Sequence, residues 1–190
     1  MKKNKTALVV GGSGGIGFSI SKKLSSNNFK VHSTYHKNKK IIKDKDIIFH
    51  NCDVTKEDNL NNTLNLILEK NNHIDLIVFT VSPNLKNMKI LDLDLEQIYY
   101  HIDLQVMSLF RIIKFLKKQF EKKNKTKIVV ILTEYCFGKP PKSLSHYITS
   151  KYALMGLAKC LSVELADFNC NVNMISPGMV DTELIKNLPP

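Results

Sequence analysis

Several features that would point to a secreted, metal-bound or membrane protein are scarce in this 190-residue chain. Its four cysteines include no C-x-x-C pair, which disfavours a disulfide framework or a zinc ribbon. No apolar run approaches the roughly 20 residues that a membrane-spanning helix needs, and the opening MKKNKTALVV leads into glycines instead of a small-residue cleavage site. We therefore expect one unprocessed cytoplasmic domain over residues 1–190, without a membrane partner.

Arginine is almost absent, although the chain carries a formal net charge of +11. Arg111 is the one arginine, and the lysines are scattered from Lys2 to Lys186. Nucleic-acid-binding proteins concentrate Lys and Arg on one face, so this pattern favours a solvated lysine-rich surface and no nucleic-acid partner. A positive field would still attract a phosphorylated cofactor or an acidic carrier protein.

Short apolar runs alternate with helical patterns along the chain. The runs predict buried strands at 6–10, 29–35, 46–50, 74–81, 127–132 and 171–176. Helical spacing lies between them at 16–24, 60–68, 104–120 and 147–165, whereas polar residues 37–46 leave room only for a brief or frayed helix. This alternation predicts an α/β fold, a doubly wound parallel sheet (Rossmann fold) of about six strands with helices on both faces. Its ligand should lie beyond the carboxyl ends of the strands.

The first loop of the predicted sheet, VVGGSGGIG at 9–17, is rich in glycine. It leaves a strand and enters a helix, where glycines let the backbone approach a pyrophosphate and the helix N-terminus offers free N–H donors. A flexible turn without a ligand is the alternative. The residues that we expect to bind phosphate or ribose here are Gly11, Ser13, Gly14, Gly15, Ile16 and Gly17.

A tyrosine and a lysine stand four residues apart in YITSK at 147–151. On a helix this spacing places Lys151 one turn from Tyr147. A phenol has a pKa of about 10, and a neighbouring cation that stabilises phenolate makes proton transfer easier near neutral pH. An amphipathic helix without chemistry would carry the same pair, so both interpretations stay open on spacing alone.

Four segments follow one another along the chain: VVGGSGGIG (9–17), CDVT (52–55), YITSK (147–151) and NMISPGMVDT (173–182). Together they resemble the motifs of the short-chain dehydrogenase/reductase family. This resemblance implies hydride transfer between a nicotinamide dinucleotide and a carbonyl or hydroxyl, with Tyr147 as acid/base and Lys151 as its electrostatic partner. Among members, the chain resembles 3-oxoacyl-(acyl-carrier-protein) reductases. Val10 replaces the threonine that opens the family's T-G-x-x-x-G-x-G.

The resemblance also implies cofactor contacts beyond the glycine loop. Asp53 would contact adenine with support from the next residue, and the segment 173–182 would close over the nicotinamide. The implied contacts outside the glycine loop are Tyr35, His36, Lys37, Asp53, Val54, Thr80, Val81, Tyr147, Lys151, Pro177, Gly178, Val180 and Thr182.

The predicted second strand ends in TYHKNKK, which contains no acidic residue. NAD-selective relatives place an acid there to bind the ribose 2′-hydroxyl, and its charge repels a 2′-phosphate. Lys37, Lys39 and Lys40 stand there instead, so NADP(H) is favoured over NAD(H). A solvated turn is the lysines' alternative role, and Gly14 occupies a position that is often basic in NADP-preferring relatives.

Two members of the family's catalytic set are replaced. At the position of the serine stands Thr133 or Glu134; a threonine hydroxyl keeps the same donor and acceptor ability, whereas an ionised glutamate would repel a developing oxyanion. At the position of the asparagine stands Gln105, or Asp103 in an alternative alignment.

Further departures concern the surrounding loops and the chain end. Ser143 and Ser145 would substitute for the serine only if their loop folds inward. Phe79, in FTVS (79–82), stands where the family has an asparagine. Most members continue about 50 residues further, so we expect the single domain to lack the usual C-terminal lid and seventh strand; whether the chain is naturally short or truncated stays open.

Two functions of different classes fit these features. The first is an oxidoreductase that transfers a hydride between NADP(H) and a carbonyl or hydroxyl on a small-molecule or carrier-bound acyl substrate, such as a 3-oxoacyl thioester. The second is a weak or inactive dinucleotide-binding protein that serves as a regulatory or partner subunit, which the replaced residues and short C-terminus favour. A homodimer through the family's fourth and fifth helices would use Phe110, Phe115 or Phe120, although core packing is expected for at least two of them.

Overall fold

The computed structural model describes residues 5–38 and 43–182. Lys39 and Lys40, part of the segment 37–46, and the chain end from 183 lie outside the described residues. Within the described ranges, no helix is both long enough and apolar enough to cross a membrane.

In the described part of the chain, six strands form one sheet in which every neighbouring pair is parallel. Their order is β3-β2-β1-β4-β5-β6, so the strand order reverses between β1 and β4. This confirms the predicted doubly wound fold, whose ligands bind outside the carboxyl ends of the strands at that reversal. The strands are β1 (Lys5–Val10), β2 (Phe29–Tyr35), β3 (Ile47–Asn51), β4 (Leu76–Phe79), β5 (Thr126–Ile131) and β6 (Cys170–Ile175).

Helices cover both faces of this sheet, and the central strands are therefore apolar along their whole length. Successive side chains of a strand point to opposite faces. Leu8 and Val10 of β1 accordingly join the larger apolar cluster, whereas Val9 joins a smaller cluster on the other face. The helices are α1 (Gly15–Ser25), α2 (Glu57–Asn71), α3 (Leu95–Ile102), α4 (Ser108–Phe115), α5 (Lys117–Glu121) and α6 (Ser145–Glu164).

The predicted helix over 104–120 was wrong in its start and in its continuity. The helical chain begins at Leu95, passes through a π-helical turn over Asp103–Met107, and is broken at Leu116 before α5. The start was hidden because apolar residues of α3, Leu95 and Tyr99 among them, are exposed and blur the apolar period. A π turn adds one residue and rotates all that follows, and a strict 3.6-residue pattern cannot anticipate this.

Phe79 and two of the three phenylalanines expected near a dimer face belong to the core. Phe79 is fully buried and lies in the sheet core, so its ring does not face the loop that follows β4. Phe120 is buried and Phe115 packs against the same cluster, whereas Phe110 is exposed. Core packing thus accounts for two of the three rings, as expected.

Candidate active site

The glycine loop is held against two neighbouring strands. Gly11 has a φ of +81°, a conformation that glycine adopts without strain, and its N–H donates to Thr34 Oγ1 at 3.0 Å. The Thr80 hydroxyl donates to the carbonyl oxygens of Val10 and Gly11 at 2.8 and 3.1 Å. A Cβ on Gly17 would collide with the Gly11 carbonyl, so the loop and the start of α1 pack backbone to backbone.

The N-terminus of α1 fits a phosphate group. Gly14 is the N-cap residue and offers no side chain to hydrogen-bond the first turn. The first N–H groups of a helix have no partner within the helix and carry partial positive charge. The first N–H groups of α1 are thus available to a ligand anion.

The segment after β6 returns to this loop and encloses a cleft. Thr182 lies so close to Gly15 that a Cβ on the glycine would be 2.5 Å from Thr182 Cγ2. The cleft has a volume of about 90 Å³, well below the roughly 300 Å³ of ordinary ligand pockets, so its volume is enough for only part of a dinucleotide. Its lining includes Ile16, Thr80, Thr133, Tyr147, Lys151 and Val180.

Tyr147 and Lys151 both lie in the first half of α6 and face this cleft. They are only 6% and 2% exposed. Lys151 Nζ lies 5.7 Å from the centroid of the Tyr147 ring and donates to the Ile131 carbonyl oxygen at 2.9 Å. The four-residue spacing thus brings the pair together at the carboxyl end of β5.

Burial controls the protonation of this pair more than their mutual contact does. Burial raises the pKa of Tyr147 to about 12, against an opposing effect of the Thr133 hydroxyl. Burial also lowers the pKa of Lys151 to about 8. The phenol pKa therefore lies above its usual value, opposite to the shift that we expected from a neighbouring cation. At neutral pH this leaves a protonated phenol beside a lysine that is still largely charged.

The structure separates the alternatives for the serine position. Thr133 is buried and lines the cleft with Tyr147. Glu134 is exposed, and its carboxylate lies beside Gly178, where a Cβ would be 3.1 Å from Oε2. Among the described residues that line the cleft, neither Ser143 nor Ser145 is found. Of the residues considered for the serine position, Thr133 is therefore the one that shares the cleft with Tyr147.

The structure also separates the alternatives for the asparagine position. Gln105 lies in the π turn, is fully buried, and donates from Nε2 to Ser150 Oγ at 2.8 Å. Ser150 Oγ in turn donates to the Tyr147 carbonyl oxygen at 2.7 Å. Asp103 instead forms an ion pair with Arg111 at 2.7 Å. Gln105 thus faces the helix that carries Tyr147, and Asp103 does not.

The carboxyl ends of β2 and β3 bring the predicted adenosine residues together. His36 and Lys37 are exposed at the end of β2, after half-buried Tyr35. His36 Nε2 lies 3.7 Å from Asp53 Oδ2. Burial raises the pKa of Asp53, but hydrogen bonds from Thr55 and the nearby histidine outweigh this effect and hold it below its usual value. Basic groups therefore border an ionised Asp53 at this edge.

Val54 and Val81 differ from the other predicted cofactor contacts in the position of their side chains. Both side chains are buried in the large apolar cluster. Only their backbone groups are left to contact a ligand at the strand ends. They are thus core residues as well as candidates for the cofactor site.

Sequence reasoning missed four polar residues close to the pair. Cys136 is buried and influences the pKa values of both Tyr147 and Lys151. The other three are His101, His146 and Ser150, all buried between α3 and α6. The signal available for them is helical spacing, since His101 precedes Gln105 by four residues and His146 precedes Ser150 by four.

The chain is similar to known proteins over almost its whole length. An uncharacterised oxidoreductase of Staphylococcus epidermidis is 28% identical over 187 residues, which cover 96% of this chain and 80% of that protein. A short-chain dehydrogenase family protein of Francisella tularensis has a solved structure that is 32% identical with a TM-score of 0.83, covering 97% and 73% of the two chains. The structure of ElxO with NADP bound is 25% identical with a TM-score of 0.86, covering 96% and 77%.

One family profile matches the part of the chain that contains the glycine loop, the buried tyrosine–lysine pair and the six strands of the sheet. That profile is described as short chain dehydrogenase, and it matches residues 5–190. The chain belongs to the short-chain dehydrogenase/reductase family of NAD(P)-dependent oxidoreductases.

Proposed function

We propose that this protein is an NADP(H)-dependent reductase of carbonyl groups, in which Tyr147 donates the proton. The observation that carries this proposal is the convergence of Tyr147, Thr133 and Lys151 in one cleft that also contacts the start of α1 through Ile16. The bound dinucleotide supplies the hydride, and the protein supplies binding, orientation and the proton.

Each of the three polar side chains has a separate task in the proposed reaction. The Tyr147 phenol is protonated because burial raises its pKa, so it can donate to the carbonyl oxygen. The Thr133 hydroxyl stabilises the charge that develops on that oxygen. Lys151, held by the Ile131 carbonyl oxygen, is the cation that stabilises the resulting phenolate. Gln105 positions α6 through Ser150.

The free amides of α1 and the basic edge of the sheet support NADP(H) as the cofactor. Lys37 and His36 are exposed at the end of β2, where a ribose 2′-phosphate would lie. The solved relative ElxO is described with NADP bound. We expect Lys37→Glu to weaken NADPH binding while NADH binding changes little, because the substitution removes a phosphate partner and adds a repelling charge.

The proposed substrate is a carbonyl on a small molecule or on a carrier-bound acyl chain. A 3-oxoacyl thioester is the form we favour, because the net charge of +11 would attract an acidic carrier protein. The proposed compartment is the cytosol, since the four cysteines are free and three of them are buried.

We further propose a homodimer through α4 and α6. Phe110 on α4 and Tyr152 and Val163 on α6 are exposed apolar residues, and exposed apolar patches mark association surfaces. Sedimentation velocity of the full chain, beside a Phe110→Glu/Val163→Glu variant, tests this assembly. A dimer that the two glutamates convert to a monomer is expected.

The experiment that tests the activity combines binding with turnover. NADPH and NADH are titrated into the full chain, and both are then assayed with a panel of ketones and 3-oxoacyl thioesters beside Tyr147→Phe. We expect NADPH-dependent reduction that the phenylalanine variant loses by at least about 100-fold, with NADPH binding retained. Binding without any Tyr147-dependent turnover would instead support the non-catalytic binding protein.

A further inference from the structure

A second pocket lies beside the catalytic cleft, against α3. It has a volume of about 300 Å³, which is at the lower end of the range for small-molecule sites. Gln97, Tyr100 and His101 line it from α3, and His146 lines it from the start of α6. Each of its seven lining side chains carries a polar group. The pocket is thus a polar cavity of ligand size that the proposed reaction does not use.

An apolar wall separates this pocket from the catalytic cleft. Leu85 lines the cleft, whereas Asn84 and Lys86 on either side of it line the pocket. Leu85 packs with Leu144 and Tyr147 in one buried apolar cluster. The two spaces have no lining residue in common, so a ligand of the pocket lies outside the catalytic cleft.

Two buried imidazole rings belong to the wall of the pocket. His101 and His146 are 4% and 2% exposed, and their ring centroids are 4.5 Å apart. The Nδ1 atom of each ring has no hydrogen-bond partner among the described residues. Buried side-chain polar atoms nearly always have a partner, so two such atoms in one pocket wall point to a partner outside the protein chain.

The remaining wall offers both hydrogen-bond donors and acceptors. Asn84 and Gln97 carry amides, which donate and accept, and neither side chain forms a hydrogen bond within the described part of the protein. Tyr100 is 53% exposed, and its phenol also donates and accepts. A neutral imidazole has one donor and one acceptor nitrogen. This balance of donors and acceptors matches hydroxyl groups, since each hydroxyl does both.

The charges that border the pocket balance each other. Lys86 and Glu96 contribute one cation and one anion, and no ion pair joins them within the described ranges. The imidazoles add no charge at neutral pH, because burial, with His146 and Lys151, lowers the pKa of His101 to about 4 and burial lowers the pKa of His146. An anion would be repelled by Glu96 and a cation by Lys86, so the pocket favours a molecule without net charge.

We propose that this pocket is a second ligand site, separate from the catalytic cleft, for an uncharged polyhydroxylated molecule, a monosaccharide or a polyol. Its hydroxyl groups bind the amides of Asn84 and Gln97 and the two imidazoles, and its C–H groups pack on the Tyr100 ring. A zwitterion would engage only the exposed Lys86 and Glu96 and would leave those groups without partners. The inference goes beyond the proposed carbonyl reduction and does not depend on it.

NMR titration of the full chain tests the site without an activity assay. The protein is labelled with ¹⁵N-histidine, and the probes are D-glucose, D-sorbitol and myo-inositol. We expect at least one probe to shift the ring resonances of His101 and His146 saturably, with a Kd of about 1 mM, as suits a ligand of few atoms. The resonances of His32 and His50, which do not line the pocket, should stay in place. No saturable shift with any of these probes would overturn the site.

Substitutions at the edge of the pocket locate the bound probe. Asn84 is exposed and Gln97 is half-buried, so the double variant Asn84→Leu/Gln97→Met should fold, which thermal unfolding checks. Because it removes two amides, we expect it to weaken binding of the probe at least about tenfold. Asn62→Leu is the matched control, since Asn62 is exposed on α2 and lines neither space. Equal affinity in the double variant and the wild-type protein would place the probe elsewhere and contradict the assignment.

Charged probes test the class of ligand. Inorganic phosphate and glycine are titrated under the same conditions, and each should bind at least about tenfold more weakly than the best polyol, phosphate because it meets a like charge at Glu96. Tighter binding of either at His101 and His146 would refute an uncharged ligand. Turnover without binding of any polyol removes this site and leaves the proposed reductase intact. Polyol binding without Tyr147-dependent turnover supports the site and removes the reductase.

Discussion

At the scale of single residues, the chemistry of the site depends on the burial of three side chains. They are the hydroxyl of Thr133 and the two ionisable groups of Tyr147 and Lys151. Thr133, Tyr147 and Lys151 are each at most 6% exposed. In such surroundings desolvation changes a pKa more than a neighbouring partner does, as the pKa values of about 12 and about 8 illustrate. The Tyr147 phenol therefore stays protonated across the physiological range and is ready to act as an acid.

Substitution of Thr133 tests whether a threonine hydroxyl replaces the family serine. Thr133→Val keeps the branched shape but removes the hydroxyl, so we expect kcat to fall roughly 100-fold, at the lower end of the range seen for loss of one oxyanion donor. Thr133→Ser keeps the hydroxyl and should retain activity. Steady-state kinetics measures both, with thermal unfolding as the check on folding. Equal kcat for all three proteins would show that Thr133 has no catalytic part.

The pKa of Lys151 predicts how reduction depends on pH. In the proposed reaction the charged lysine stabilises the phenolate that forms on Tyr147, and burial lowers the pKa of Lys151 to about 8. The charged form is complete well below that value and is lost as pH rises through it. We therefore expect kcat/KM for reduction to be level below about pH 8 and to decline above it, a profile measured with constant ionic strength. A decline that begins only near the ordinary lysine pKa of about 10.4 would contradict this.

At the scale of secondary-structure elements, the glycine loop and α1 form one backbone-packed unit. Gly17 has no room for a side chain, since a Cβ would meet the Gly11 carbonyl and lie 2.7 Å from Thr80 Oγ1. The π turn over Asp103–Met107 is a second element whose irregular geometry positions a side chain, because it rotates Gln105 toward Ser150. Both elements place polar groups that a regular loop or helix would place elsewhere.

Gly17→Ala tests the close packing of the loop on α1. We expect loss of dinucleotide binding together with destabilisation of roughly 1–3 kcal/mol, because the methyl group forces backbone apart. The matched control is Gly156→Ala in α6, where a Cβ would meet no atom within 4 Å. That change should stabilise by about 0.5–1 kcal/mol, since alanine is the better helix residue. Calorimetric NADPH titration and urea unfolding measure both variants; equal behaviour would refute the packing argument.

At the scale of the whole molecule, buried histidines make stability depend on pH. His32 of β2 is fully buried, and its Nδ1 lies 2.8 Å from His50 Nε2 of β3. Asn71 Nδ2 of α2 donates to His32 Nε2 at 3.0 Å. Burial, with nearby His50 and lysines, lowers the pKa of His32 to about 4. This contact network joins two strands and a helix around a ring that must stay neutral.

Acid should therefore destabilise the protein well above the pKa of its carboxyl groups. Between about pH 6.5 and 4 the unfolded chain binds more protons at His32 than the folded chain does, so stability is full above 6.5 and is lost as pH falls. A pKa of about 4 corresponds to roughly 3 kcal/mol over this window. Urea unfolding at pH 7, 5.5 and 4.5 measures the decline, and His32→Gln should make it shallower. The same slope in that variant would contradict the assignment.

How much could be predicted from the sequence depends on the range of the interaction involved. The six strands were predicted within about two residues of their observed ends, because apolar runs and turn residues are local signals. The glycine loop and the Tyr147–Lys151 pair were predicted for the same reason. Thr133 could not be chosen over Glu134, nor Gln105 over Asp103, because each choice depends on the direction of a side chain after a turn. A periodic sequence pattern does not determine the geometry of that turn.

By itself, the sequence determined the alternation of strands and helices, the glycine loop and the Tyr147–Lys151 pair, since each follows from residue spacing over a short stretch of chain. Only the tertiary structure decided which hydroxyl stands beside Tyr147, that burial raises the phenol pKa, and that His101 and Gln105 meet His146 and Ser150 across 45 residues of chain. Desolvation and contacts of this kind arise from elements that are distant in the chain and packed together only by the fold.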